Sequence, residues 1–196
     1  METLIPVAIS ARHVHLRQET IESLFGPGHV LHVKAPLSQP GQFAAMETVS
    51  LQGPRGRLDH VRVLGPPRLA DQVELSRSDE VALGLDAPLR VSGDLECTPG
   101  IVVTGPAGQV VLDCGVVTPV RHIHMTPEDA ARLEVGDREK VSVAVDSDGR
   151  DVTFGDVVVR VSPRSRLELH LDTDEGNAAG VGSGTLARLL RPHMPP

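Results

Sequence analysis

Hydrophobic and polar residues alternate along most of this chain, which is the pattern of half-buried β-strands. Three stretches alternate on both sides of a Gly-containing turn and each predicts a β-hairpin: residues 48–66, 100–117 and 140–162. Helical periodicity is confined to three short segments: residues 17–26, 76–84 and 126–136. The pattern therefore predicts a mainly β fold with short helices, of the kind found in barrels and sandwiches.

A short motif, Arg-His-x-His, occurs twice. Residues 10–26 and 119–136 align as a strand end, the motif and a short helix, with an offset of 109 residues. The second helix has strong start signals, with Thr126 as the N-cap and Pro127 at the first helical position. Two related β units are the simplest interpretation. No Ser-rich or charged linker separates them, so we expect them to pack closely.

The histidine spacing suits a metal site on a strand. Residues i and i+2 of an extended segment point to the same face, so two imidazoles can meet one ion at about 2 Å. One such pair could equally be two partly exposed histidines, but a second copy, again preceded by Arg, favours metal binding. Zinc is the default ion and other divalent metals stay open. The pairs are His13 with His15 and His122 with His124.

Each pair needs at least one further ligand. Residues 167–172 alternate leucines with polar residues, so His170 can project from a strand whose other face is buried. Glu74 lies between Val73 and Leu75 in a similar pattern, although a solvated strand face explains it equally well. The remaining histidines lie in loop or tail contexts and we interpret them as surface residues: His29, His32, His60 and His193.

Composition excludes several classes of protein. The net charge is −7 and the 26 acidic residues are spread along the chain, which argues against nucleic-acid binding. Aromatic residues are 2%, so a base-stacking platform is not expected. We expect no signal peptide and no membrane span. Cys97 and Cys114 form no metal or disulfide pattern and are interpreted as small buried thiols in a reducing compartment.

Five blocks of sequence resemble the phosphate propanoyltransferase family, the phosphotransacylases of propanediol-utilisation pathways. The resemblance extends from about residue 6 to residue 180. In this chain the blocks begin PVAIS, APLSQ, QVELS, RHIHM and LELHL, and they occupy residues 6–16, 35–68, 72–96, 121–133 and 167–180.

The resemblance implies a pair of small β-barrels. The first would be discontinuous and would use residues 2–11 and 120–189. The second would comprise residues 12–119, with a short inserted loop or sheet near residues 26–46. Residues 190–196 are expected to be a flexible tail. The segment from Ser183 onwards reads as a frayed terminus, with a short amphipathic helix as the alternative.

The resemblance also implies a reaction, in which an acyl-CoA (propanoyl-CoA or acetyl-CoA) and phosphate give acyl phosphate and CoA reversibly. It implies two zinc ions, one held by His13, His15 and Glu74 and the other by His122, His124 and His170. Arg68 would bind phosphate, and Ser92 would lie near the site as a second catalytic candidate. Arg12, Arg121 and Gln42 are candidates for orienting ligands or contacting CoA.

Other functions stay open at this point. A zinc hydrolase would also use paired histidines, and a non-catalytic metal-binding or microcompartment protein would keep them. Direct attack by phosphate is favoured over an acyl-enzyme, because neither cysteine lies beside a histidine base in sequence. We expect a homodimer in the cytoplasm, with no nucleic-acid or membrane partner. Microcompartment association is doubtful, since only residues 1–5 precede the core.

Overall fold

The computed structural model describes residues 4–190 and consists mainly of strands. The strands are β1 Leu4–Ser10, β2 His13–His15, β3 Val33–Pro36, β4 Phe43–Gln52, β5 Arg57–Gly65, β6 Gln72–Glu74, β7 Leu89–Arg90, β8 Ile101–Thr104, β9 Gln109–Leu112, β10 Val116–Pro119, β11 His122–Met125, β12 Lys140–Val145, β13 Val152–Val161, β14 Glu168–Asp172 and β15 Leu186–Leu190. The helices are α1 Gln18–Phe25, α2 Arg77–Leu83, α3 Pro127–Leu133 and α4 Thr173–Ala179. The mainly β prediction is confirmed.

Within the described residues the chain forms two compact units, with changes of unit after Ser10 and after Pro119. The unit that contains β1 and the C-terminal half is a closed six-stranded barrel, in the order β1-β14-β11-β13-β12-β15. Its interior is filled by aliphatic side chains from alternate strand positions, such as Val7, Ile123 and Leu169. This is the alternation that the sequence shows, because successive strand residues face opposite sides of a sheet.

The other unit, Ala11–Pro119, is a curled half-barrel sheet. Its strands follow the order β7-β10-β6-β2-β5-β4-β8-β9, and β3 pairs with β4. Its core is a separate aliphatic cluster that includes Val14, Leu51 and Val73. The three predicted hairpins are β4–β5, β8–β9 and β12–β13, each antiparallel.

The three predicted helices are confirmed as α1, α2 and α3, and α4 is a fourth that the pattern did not reveal. Ser76, Thr126 and Asp172 each cap a helix in a reciprocal capping box. Helix α3 ends earlier than predicted, because Glu134 adopts a left-handed conformation with φ 56° before Gly136 is reached.

Two expectations from sequence are wrong. Cys97 and Cys114 are exposed rather than buried, because both lie in irregular segments outside the strands. Within the segment after Ser183, residues 186–190 are neither frayed nor helical, since Leu186–Leu190 is strand β15 and pairs with both β1 and β12. Leu190 therefore belongs to the barrel, while the rest of the predicted tail, residues 191–196, and His193 within it lie outside the described residues.

Candidate metal centres and their surroundings

The first histidine pair meets an acidic residue across two antiparallel strands. Strand β2 pairs with β6 so that His13 lies opposite Glu74 and His15 opposite Gln72. The Nε2 atom of His13 is 3.4 Å from a carboxylate oxygen of Glu74. All three side chains are buried, and their ligand atoms lie within 4.8 Å of one another. The structure thus brings the proposed first ligand set together.

The second pair meets a third histidine in the same way. Strand β11 pairs with β14 so that His122 lies opposite His170 and His124 opposite Glu168. The Nε2 atoms of His122 and His124 are 3.1 Å apart, and the three imidazoles offer ligand atoms within 4.8 Å. The second proposed ligand set is therefore also assembled.

The two clusters are built on one strand plan. In each, a strand of one unit leads through a two-residue crossing into a His-x-His strand of the other unit, as β1 leads to β2 and β10 to β11. Each His-x-His strand then pairs antiparallel with one neighbour and parallel with another. The sequence repeat is therefore a structural repeat, in which Glu74 corresponds to His170 and Gln72 to Glu168.

Backbone carbonyls orient the first histidine of each pair. The Nδ1 atom of His13 is 2.8 Å from the Ala11 carbonyl oxygen, and that of His122 is 2.8 Å from the Val120 carbonyl oxygen. Donation from Nδ1–H leaves the Nε2 lone pair facing the cluster, which is the arrangement common to metal-binding histidines. The repeat thus preserves the ring tautomer as well as the residue type.

His15 has a nitrogen that suits a metal ligand. Its Nδ1 atom is buried and has no hydrogen-bond partner among the described residues. A buried polar atom without a partner costs about 1–3 kcal/mol. A cation bound there would satisfy that atom, so the donor set fits a borderline-soft ion such as zinc.

Three of the cluster histidines are held neutral, which is the state that binds a metal ion. Burial lowers the pKa of His15 to about 2 and that of His122 and of His124 to about 3. Nearby positive charges act in the same direction, from Arg68 on His15 and from Arg160 on the other two. Each cluster therefore has an arginine close enough to influence it, and Arg160 was not singled out in the sequence.

Both nitrogens of His170 have neighbours. Its Nε2 atom is 2.8 Å from a carboxylate oxygen of Glu168, and its Nδ1 atom is 3.4 Å from the Ser10 hydroxyl. Glu168 is buried and was also missed in the sequence, where it appeared only as one polar position of an alternating strand. Its spacing of two residues from His170 places both on one strand face, which was an available signal.

Arg68 and Ser92 lie beside the first cluster. The Nη1 atom of Arg68 donates to the Ser92 hydroxyl at 3.2 Å, and Gln72 donates to the same hydroxyl at 2.9 Å. Gln72 also donates to Glu74 at 2.5 Å, so a chain of polar contacts links Arg68 to the cluster. Gln72 is buried and was the missed residue here, two positions before Glu74 on the same strand face.

The arginine of each motif pairs with an acid at the start of a helix. Arg12 pairs with Asp79, and the Nε atom of Arg121 is 2.8 Å from Glu175. Asp79 and Glu175 are the third residues of α2 and α4, the helices that follow β6 and β14. The repeated arginines therefore connect each His-x-His strand to the helix that follows the third ligand.

The hydrogen bonds of Gln42 join it to neighbouring loop residues and not to either histidine cluster. It lies at the β3–β4 turn, where its backbone accepts from Leu37 at 3.0 Å and donates to Gln39 at 3.2 Å. A role for Gln42 in contacting CoA stays a prediction.

Comparison with known proteins assigns the family. The family model for phosphate propanoyltransferase matches residues 6–182 of this chain. The chain belongs to the phosphate propanoyltransferase family. It is an acyltransferase, and the family name supports transfer of an acyl group to phosphate.

Relatives that carry the family name resemble this chain along almost all of their length. The Salmonella typhimurium phosphate propanoyltransferase is 50% identical over 189 residues, which cover 96% of this chain and 90% of that protein. The Thermotoga maritima protein is 50% identical over 186 residues, with coverage of 95% and 89%. The Citrobacter freundii protein is 52% identical over 180 residues, with coverage of 92% and 85%.

In this member of the phosphate propanoyltransferase family, the matched region includes both histidine clusters and Arg68. Among residues 4–190, no helix is both long enough and apolar enough to cross a membrane.

Proposed function

We propose that the chain transfers the acyl group of a short-chain acyl-CoA, propanoyl-CoA or acetyl-CoA, to inorganic phosphate with the help of two bound zinc ions. The observation that carries the proposal is the repeated cluster, in which a His-x-His strand faces a third ligand in the same register. One ion would be held by His13, His15 and Glu74, and the other by His122, His124 and His170. Zinc bound in these clusters would supply a Lewis acid for negative charge on oxygen.

The bonds that change are simple to account for. A phosphate oxygen forms a bond to the thioester carbonyl carbon, the C–S bond breaks, and the departing CoA sulfur takes the proton that phosphate loses. Arg68 is the residue we assign to phosphate, because a guanidinium presents paired N–H donors that match two phosphate oxygens. We expect Ser92 and Gln72 to hold the Arg68 side chain in place. Arg68 donates to the Ser92 hydroxyl, and Gln72 donates to both that hydroxyl and Glu74.

We favour direct attack by phosphate over an acyl-enzyme intermediate. Cys97 and Cys114 are exposed and free, and no histidine among residues 4–190 hydrogen-bonds to either thiol. A nucleophilic thiol needs such a base or another source of a lowered pKa. A variant with Cys97→Ser and Cys114→Ser should keep wild-type phosphate-dependent activity, and loss of turnover would point to an acyl-cysteine instead.

The activity test measures thioester loss from propanoyl-CoA with and without phosphate. Following thioester absorbance avoids thiol reagents, which would also react with the two exposed cysteines. Phosphate-dependent loss, with acyl phosphate as product, supports the proposal. Phosphate-independent loss would identify a hydrolase, and no loss at all from zinc-loaded protein would favour a non-catalytic metal-binding protein.

Arg68→Ala tests the phosphate role. Loss of one or two charge-assisted hydrogen bonds, at about 1.5–3 kcal/mol each, should lower kcat/KM for phosphate by about 10-fold to more than 100-fold. Zinc content should stay unchanged, because Arg68 is not in the ligand set. Arg68→Lys is the matched control and should recover part of the loss, since it restores charge without the paired donors. Near-normal phosphate dependence in Arg68→Ala would refute this assignment.

The proposal extends to the setting of the enzyme. We expect a homodimer in the cytoplasm that serves propanediol degradation, with no nucleic-acid partner. Sedimentation of the purified chain tests the dimer directly.

A further inference from the structure

A third group of metal-binding side chains lies in the Ala11–Pro119 unit, apart from the two clusters described above. His29 and His32 belong to the connection between α1 and β3, and Glu47 belongs to β4. The Nε2 atom of His29 is 2.9 Å from Oε1 of Glu47, and the Nδ1 atom of His32 is 2.7 Å from the same oxygen. The sequence suggested only surface histidines here, but His29 is half-buried and both rings converge on a buried carboxylate.

The three side chains are held in place by their surroundings. The backbone N–H of His32 donates to both carboxylate oxygens of Glu47, at 3.2 and 3.1 Å. Gln18 donates to the carbonyl oxygen of His29 at 2.8 Å, and Phe25 stacks on the His29 ring with 5.1 Å between centroids. The donor atoms are therefore positioned by contacts that need no ion.

The donor set has a recognisable chemistry. Two imidazole nitrogens and one carboxylate oxygen form a His₂Glu set, which in proteins binds zinc with a further position left for water. Bonds of about 2.0–2.2 Å would separate the ligand atoms of a tetrahedral site by about 3.3–3.5 Å. The distances from the two imidazole nitrogens to Oε1 of Glu47 would have to lengthen by roughly half an ångström to reach that range. The His32 side chain is 72% exposed, so water can reach the remaining position.

We propose that His29, His32 and Glu47 form a third metal site, which takes a divalent transition-metal ion with zinc as the expected occupant. The ion would join the connection after α1 to strand β4. This site plays no part in the acyl transfer proposed above and stands independently of it. The competing interpretation is a hydrogen-bonded cluster in which both imidazole N–H groups donate to Glu47.

Metal titration of the full-length, metal-free protein separates these interpretations. Zinc is added in competition with a chromophoric chelator, and the number of equivalents bound is compared between wild type and His32→Ala. This variant keeps the backbone N–H that holds Glu47 and removes an exposed side chain, so we expect it to fold. Wild type should bind one equivalent more than His32→Ala. The comparison is a difference, so it does not depend on the occupancy of the other two clusters.

His60→Asn is the matched control. His60 is an exposed histidine of the same unit, and within the described part of the chain it belongs to no group that could hold a metal ion. Its backbone has φ 58°, a conformation that Asn tolerates. This variant should bind as many equivalents as wild type. Equal stoichiometry for wild type and His32→Ala would overturn the proposal.

A second measurement guards against zinc bound elsewhere. In crystals of the zinc-loaded protein, anomalous scattering at the zinc edge should show an ion bonded to Nε2 of His29, Nδ1 of His32 and Glu47. Glu47→Gln keeps the side-chain size and should lose that peak. A wild-type map without a peak at this position would refute the site, whatever the total stoichiometry.

Discussion

Arg121→Met should weaken the barrel unit by breaking the ion pair between the second His-x-His motif and α4. Arg121 contacts Glu175 at 2.8 Å, and its guanidinium carbon lies 5.3 Å from the centre of the Phe154 ring. Methionine keeps part of the apolar stem that packs there and removes the charge. Glu175 remains held by its capping contact with Asp172, so the variant removes the ion pair and the guanidinium contact with Phe154 but leaves the helix cap in place.

The contribution of the ion pair to the free energy of unfolding follows from the distance between the two charges and from their exposure to solvent. Two unit charges about 4 Å apart interact by about 4 kcal/mol at an effective dielectric constant of 20. The side chains are 35% and 17% exposed, so solvent screening and lost side-chain freedom reduce the net contribution. We expect about 1 kcal/mol, at the upper end for partly exposed pairs. For a chain of this size that corresponds to a fall in Tm of about 2–4 °C.

Calorimetry of the EDTA-treated protein is the assay. A double-mutant cycle with Glu175→Gln isolates the pair from the capping role of Glu175. The double variant should be less destabilised than the sum of the two single variants by about 1 kcal/mol. Additive effects would refute the pairing as a source of stability. Zinc affinity is the second readout. Loss of the ion pair should let strand β11 move more freely and so weaken zinc binding at His122.

Two further predictions concern stability. Burial lowers the pKa of His15, His122 and His124, so the unfolded chain takes up protons first as the pH falls below about 6.5. Above that pH the free energy of unfolding of the metal-free protein should be at its full value. Below it, the protein should lose up to about 1.4 kcal/mol per histidine for each pH unit, down to about pH 3. A urea midpoint that does not fall between pH 7 and pH 5 would contradict this. Gly100→Ala should cost more than about 2 kcal/mol, because its Cβ would lie 2.0 Å from the Leu112 carbonyl oxygen, whereas Gly182→Ala meets nothing within 4 Å and should be neutral in the same melting experiment.

Local pattern was sufficient for the elements of the fold. Alternation over residues 48–66 and 140–162 predicted hairpins, and the signals at Ser76 and Thr126 predicted helix starts, because each depends on residues only a few positions apart. The same locality explains the failures. The alternation between residues 186 and 190 is short, and strand β15 exists because β1 and β12 provide partners on both sides.

The sequence alone determined that two Arg-His-x-His strands exist, since the face on which i and i+2 lie is a local property of extended backbone. It could not determine what lies opposite them. Strand register places Glu74 across from His13, although 61 positions separate them, and it likewise brings Gln72 next to the first cluster and Glu168 next to the second. Register depends on the pairing of distant segments, and a shift by one residue would turn every one of these side chains to the other face.

Tertiary structure also decided the surroundings of the histidines. The repeated arginines could be recognised from sequence, but their acidic partners Asp79 and Glu175 lie on helices that reach them only after the sheets have formed. Glu47 meets His29 and His32 for the same reason, because its strand must first be set in the sheet. Residue type and local spacing are written in the chain, whereas the convergence of polar groups is produced by packing between segments far apart in sequence.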